Sequence, residues 1–152
     1  MCCWERLTWV AFGQSYLIHD KRCPLPQEVL LVENSTSEVR LIEQITARGS
    51  TPIRITTAND CSGALARLSD IQIKPNLVIA DMGALEFKGV EILKRCNPRG
   101  IPVVVFSGSV NPKDREDILR LGAKEFIEKP NTLDEYTAAL RKMIGKWATP
   151  QA

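Results

Sequence analysis

The chain has 152 residues, 44% hydrophobic, 25% charged and 6% aromatic, with 20 Lys and Arg against 18 Asp and Glu for a net charge of +2. This composition fits one ordinary globular domain, long enough to bury roughly two-thirds of its unfolded surface, and excludes disordered, collagen-like and coiled-coil classes. The balanced charge argues against nucleic acid as a partner, which requires a concentrated basic surface, and no apolar run reaches the roughly 18 residues of a membrane span.

Residues 1–27 differ from the rest. They hold Trp4, Trp9, Phe12 and Tyr16, four of the nine aromatic residues. The apolar stretch at 7–12 is short, Glu5 stands where a secretory signal carries only positive charge, and no small-x-small cleavage site follows. The segment reads as an N-terminal extension, either an added helix or a flexible arm. The five cysteines, at positions 2, 3, 23, 61 and 96, are odd in number and match no zinc spacing. A reduced, cytoplasmic location is the expectation. His19 is the one histidine and lies in the extension, so no catalytic role is given to it.

From position 28 the text becomes regular. Residues 28–33 form a short apolar run between polar ends and read as a buried strand. Asn34, Ser35, Thr36 and Ser37 offer caps for a helix carrying Val39, Leu41, Ile42 and Ile45, which Gly49 closes. A second strand spans 52–57, and Asn59 or Asp60 caps a helix with Ala64, Leu65 and Leu68. The third strand, 77–81, is apolar until Asp81. A loop from 82 to 88 precedes a short helix from Gly89. Residues 97–100 make a turn, and 101–106 form a fourth strand. Asn111 and Pro112 open a helix in the favoured way, with proline in its first turn. A fifth strand covers 124–128. Thr132 or Asn131 caps a last helix with Leu133, Tyr136, Leu140, Met143, Ile144 and Trp147 along one side, and 148–152 is a tail.

Strand and helix thus alternate five times with short connections, which predicts an α/β domain over 28–147 with a parallel sheet covered on both faces. In such sheets ligands bind beyond the carboxyl ends of the strands. Those ends carry Glu33 and Asn34, then Asp81, then Ser107 and Gly108, then Glu128, Lys129 and Pro130. Two carboxylates at close range repel unless a cation joins them, and Mg²⁺, which prefers hard oxygen ligands, is the natural one. A hydroxyl and an ammonium beside them suit a phosphoryl group, and an aspartate can itself be the nucleophile, forming an acyl phosphate. There is no Gly-rich phosphate loop, no Gly-x-Ser-x-Gly elbow and no catalytic histidine, which argues against a hydrolase on this scaffold.

Four segments in order carry a family resemblance: Leu30-Leu31-Val32-Glu33-Asn34; Pro75 to Asp81, with Gly89 eight residues later; Val103 to Ser109; and Gly122 to Pro130. Over about 28–147 the chain resembles the receiver domain of bacterial two-component response regulators, of the chemotaxis-regulator type. The resemblance implies a doubly wound, flavodoxin-like (βα)5 fold with strand order 2-1-3-4-5. It makes Asp81 the phosphoacceptor and Lys129 the contact to a phosphoryl oxygen. Ser107 becomes the hydroxyl that moves towards the phosphoryl group, and Phe126 the aromatic switch. Glu33, Asp81 and the Gly83 backbone carbonyl become the Mg²⁺ ligands. Gly108 leaves the donor a path, and Pro130 follows Lys129 through a cis peptide bond.

Two departures stand out. Asn34 occupies the place of the second metal-site acid, and Leu85 replaces a common proline. With the first, the pocket drops from three acids to two, and Mg²⁺ binding weakens. The resemblance implies a stand-alone, receiver-only regulator, similar to those associated with phytochrome-like kinases, with no enzymatic activity beyond its own phosphoryl transfer and hydrolysis. Its donor would be a sensor histidine kinase or a phosphotransfer protein. Its output would be an effector protein or a second copy, bound through the last two helices and the fifth strand. The alternative is a pseudo-receiver, with Asn34 in place of an acid, acting as a constitutive interaction module.

Overall fold

The computed structural model describes residues 25–85, 89–108 and 111–149. All of the N-terminal extension except its last three positions lies outside them, His19 and Cys23 included. Five parallel strands form one sheet: β1 (Gln27–Val32), β2 (Ile53–Ala58), β3 (Leu77–Ala80), β4 (Val103–Ser107) and β5 (Glu125–Glu128). Their order is β2-β1-β3-β4-β5, as the resemblance implies.

Six helices fill the connections: α1 (Thr36–Ala47), α2 (Cys61–Ser69), α3 (Met82–Leu85), α4 (Gly89–Cys96), α5 (Pro112–Arg120) and α6 (Leu133–Trp147). Four start on side-chain caps that the sequence supplies: Ser35 accepts from the Glu38 N–H, Asp60 from Gly63, Asn111 from Lys113 and Thr132 from Glu135. A 3₁₀ turn, Asn97–Arg99, ends in Gly100 at φ 65°, a left-handed conformation that glycine adopts without a Cβ penalty.

Alternation along the strands divides the core in two. Leu30, Val32, Val78, Ala80, Val103, Val105 and Phe126 pack beneath α2, α3, α4 and α5. Val29, Leu31, Leu77, Ile79, Val104 and Phe106 pack beneath α1 and α6, against Ile42, Tyr136, Leu140 and Met143. Both faces of the sheet are thus covered, which is why the inner strands β1, β3 and β4 carry unbroken apolar runs while the edge strands β2 and β5 do not.

Two local differences from the sequence reading have physical causes. Residues 82–85 form a helical turn rather than a loop, because Asp81 closes it: its carbonyl accepts the Leu85 N–H at 3.0 Å and its Oδ2 accepts the Gly83 N–H at 2.7 Å. Residues 86–88, the rest of the predicted loop, lie outside the described residues. Strand β4 begins at Val103 rather than 101, since Pro102 has no N–H for the ladder.

Candidate functional site

The carboxyl ends of β1, β3, β4 and β5 share one rim, and backbone bonds fix its levels. The Glu33 N–H donates to Ala58 O at 3.0 Å and the Asp81 N–H to Val32 O at 3.0 Å. Each acid is therefore the first residue past its strand, side by side on the adjacent strands β1 and β3. The Lys129 N–H donates to Ser107 O at 2.8 Å, which carries the ladder one step beyond β5. From there the lysine side chain crosses the end of β4, 5.9 Å above the centre of the Phe106 ring, and reaches the acids.

Its ammonium meets three carboxylates. Nζ lies 2.9 Å from Asp81 Oδ1, 3.0 Å from Glu33 Oε2 and 2.6 Å from Glu38 Oε1. The side chains are largely out of water: Glu33 is 4% exposed, Lys129 and Asp81 14% each, and Glu38 21%. Burial alone would push the Lys129 ammonium down, but its bonds to Glu38, Asp81 and Glu33 outweigh that and hold it above the usual lysine value. Each acid has a further partner. Glu33 Oε1 accepts from the Ser35 N–H at 2.9 Å, Asp81 Oδ2 from Gly83, and Glu38 Oε1 from the Tyr136 hydroxyl at 2.8 Å. The Tyr136 phenol is pushed well above its ordinary pKa, first by burial and then by its bond to Glu38.

Of the residues singled out in the sequence, Glu33, Asp81 and Lys129 meet directly. Ser107 is buried and joined through its carbonyl to Lys129. Gly83 lies against Asp81, and a Cβ there would come within 2.9 Å of Oδ2, so the bare backbone is what lets that carboxylate sit where it does. Asn34 and Gly108 are exposed on the same rim. Asn34 is not the helix cap; Ser35 is. Phe126 does not join the pocket. Its ring is buried on the α5 side of the sheet, with the Arg115 guanidinium 5.7 Å from its centre.

One expectation needs correction. Among the described residues there is no cis peptide bond, so Lys129–Pro130 is trans. Besides Glu33 and Asp81, a third acid that the sequence reading did not single out meets the lysine: Glu38, from the first turn of α1. The only local signal for Glu38 was the Ser35-x-x-Glu38 spacing of a capping box; its pairing with Tyr136 spans 98 residues.

The donor set fits a hard divalent cation. Three carboxylates against one ammonium leave two negative charges uncompensated, and carboxylate, carbonyl and amide oxygens are the ligands Mg²⁺ prefers. Among the described residues no three His, Cys, Asp or Glu side chains form a cage by themselves. A cation here would therefore complete its shell with backbone and water oxygens, as Mg²⁺ characteristically does.

Residues 29–141 match the family described as the response regulator receiver domain. The transcriptional regulatory protein KdpE of Mycobacterium tuberculosis (strain ATCC 25618 / H37Rv) is 29% identical over 120 residues, 76% of this chain and 50% of KdpE. The KDP operon transcriptional regulatory protein KdpE of Escherichia coli (strain K12) is 29% identical over 125 residues, 82% of this chain and 54% of that protein. The chain spans about half the length of these curated relatives. Among solved structures, the phosphorylated cyanobacterial phytochrome response regulator RcpA superimposes with a TM-score of 0.74 at 24% identity, covering 84% of this chain and 98% of RcpA. The Mn(2+)-bound form of response regulator Rcp1 gives 0.71 at 23%, covering 84% and 98%. At these identities the structural likeness is one of fold.

Proposed function

The chain belongs to the response regulator receiver domain family of two-component signalling, and on that premise we propose that Asp81 accepts a phosphoryl group from a phosphohistidine donor. The observation that carries this reading is the meeting of Asp81, Glu33 and Lys129 at the ends of β3, β1 and β5. As a receiver, the domain signals rather than turning over a substrate. The donor would be a sensor histidine kinase or a phosphotransfer protein.

Asp81 Oδ attacks phosphorus as the phosphorus–nitrogen bond of the donor breaks. The leaving imidazole keeps that electron pair and takes up a proton, and Asp81 becomes an acyl phosphate. Lys129, already 2.9 Å from Oδ1, neutralises one of the transferring oxygens. Glu33, Asp81 and the Gly83 carbonyl would hold Mg²⁺, with the Asn34 amide oxygen as a further ligand; bound there, the ion supplies charge neutralisation for the phosphoryl oxygens. Ser107, buried beside Lys129, turns its hydroxyl to a phosphoryl oxygen. Gly108, exposed beside it, leaves the donor room to approach.

Movement of Ser107 and rotation of Phe126 then shift the face formed by α5, β5 and α6, a change of population between two states that a protein partner or a second copy reads. Leu119, Leu121 and Leu133 are exposed on those elements and the loop between α5 and β5, which suits such a contact.

Incubation with acetyl phosphate, with and without Mg²⁺, followed by intact-mass spectrometry tests the reading. One Mg²⁺-dependent phosphoryl adduct, absent in Asp81→Asn, is the expected result. No adduct on the wild-type chain overturns it. That outcome belongs to the second reading, which the amide at Asn34 favours: a pseudo-receiver that works by constitutive protein contact.

A further inference from the structure

Glu38 has no part in the mechanism above, yet it makes the shortest of the three contacts to Lys129. Both ends of this residue are fixed. Its backbone N–H donates to the Ser35 hydroxyl at 3.4 Å, which sets the start of α1. Its Oε1 takes the Tyr136 hydroxyl at 2.8 Å, and the Tyr136 ring is buried and tilted at 60° against Phe106, with centres 5.0 Å apart. Glu38 is thus placed by two helices on the same face of the sheet, α1 and α6.

The consequence is one of charge. An ammonium has three N–H donors, and here three carboxylates surround it. Without Glu38, Lys129 would be shared by Glu33 and Asp81 alone, and one negative charge would remain over. With Glu38, two remain, the number that a divalent cation neutralises. Position 34, next to Glu33, bears an amide that contributes no charge.

We propose that Glu38 is a positioning residue for cation binding: it engages Lys129 from the α1 side and thereby supplies the negative charge that Asn34 does not. Glu38 is not itself a metal ligand in this account; it acts through the lysine. The proposal rests on the reading of Glu33 and Asp81 as a Mg²⁺ site.

Mg²⁺ titration by isothermal calorimetry tests it on the full chain, without any phosphoryl donor, for the wild type, Glu38→Gln, Asn34→Asp and the double variant. Glutamine keeps an oxygen for the Tyr136 hydroxyl and removes only the charge, and a urea unfolding curve for each protein checks that the fold is kept. Glu38→Gln should weaken Mg²⁺ binding on the order of ten-fold, the scale typical of groups just outside a metal's ligand shell. Asn34→Asp should tighten it, and the double variant should return to near the wild-type value. Binding by Glu38→Gln within about two-fold of wild type overturns the proposal alone. So does a loss that Asn34→Asp fails to recover, since that would assign Glu38 a purely structural role. No Mg²⁺ binding by the wild-type chain would overturn the metal reading and the proposal together.

Discussion

Replacing Lys129 by Met removes the only cation in direct contact with Glu33, Glu38 and Asp81 among the described residues while keeping an unbranched stem of similar length. Breaking a buried ion pair from one side costs about 3–5 kcal/mol, because a charge is left buried and uncompensated. Two features place this site near the lower end. The carboxylates keep partners in the Ser35 N–H, the Gly83 N–H and the Tyr136 hydroxyl. Glu38 is 21% exposed and can turn to water. The expected loss at pH 7 is about 3 kcal/mol; with a urea dependence of about 1.5–2 kcal/mol per molar, the midpoint falls by about 1.5–2 M. The assay is urea unfolding followed by far-ultraviolet circular dichroism.

The pH dependence has a definite sign. In the wild type the folded pKa of Lys129 lies above its unfolded value. Its contribution is therefore complete below the ordinary lysine range and is lost only as pH rises through the folded value. The gap between wild type and variant should be flat from about pH 7 to 9. A loss under about 1 kcal/mol, or a gap that changes between those pH values, would refute the charge reasoning.

Three other outcomes follow from the same geometry. Tyr136→Phe removes one hydrogen bond to a charged acceptor and leaves the ring packed on Phe106, so it should cost about 1.5–2 kcal/mol in the same unfolding assay; no change would mean that the Glu38 contact is not formed in solution. Gly83→Ala places a methyl 2.9 Å from Asp81 Oδ2, so this carboxylate must shift; Mg²⁺ affinity measured by calorimetry should fall while the unfolding midpoint moves by less than about 1 kcal/mol equivalent. The Glu125 carboxyl is held below its usual range, chiefly by the Trp147 indole N–H at 2.8 Å and also by Lys146. The stability it contributes is present above the unfolded carboxylate value and lost as pH falls through the folded one. Glu125→Gln should therefore differ from wild type near neutrality and converge with it in acid, as unfolding curves across that range would report.

The strands and most helices were legible because they are punctuated locally. Apolar runs end at Glu33 and Asp81, and Ser35, Asp60, Asn111 and Thr132 cap the helices that follow them. The convergence of Glu33, Asp81 and Lys129 was legible for a topological reason: parallel strands put all their carboxyl ends on one rim, so residues 48 and 96 positions from Lys129 arrive there together. What escaped was tertiary. The turn at Met82–Leu85 has no apolar period and exists because Asp81 closes it and Ala84 and Leu85 are buried. Glu38 was not singled out, since in sequence it is only a first-turn acid of α1; the packing of α1 and α6 on the same face directs it to Lys129. Tyr136 read as core, which its ring is, while its hydroxyl serves the acid pocket.

The most direct test of the central claim is to trap the modified residue. After reaction with acetyl phosphate and Mg²⁺, reduction with borohydride converts an aspartyl phosphate to homoserine, and peptide mass mapping locates it. The account predicts homoserine at Asp81 and at no other acid, with none in Glu33→Gln, where the pocket loses a metal-site carboxylate. Unmodified Asp81 in the wild-type chain, or reduction at another carboxylate, would contradict it.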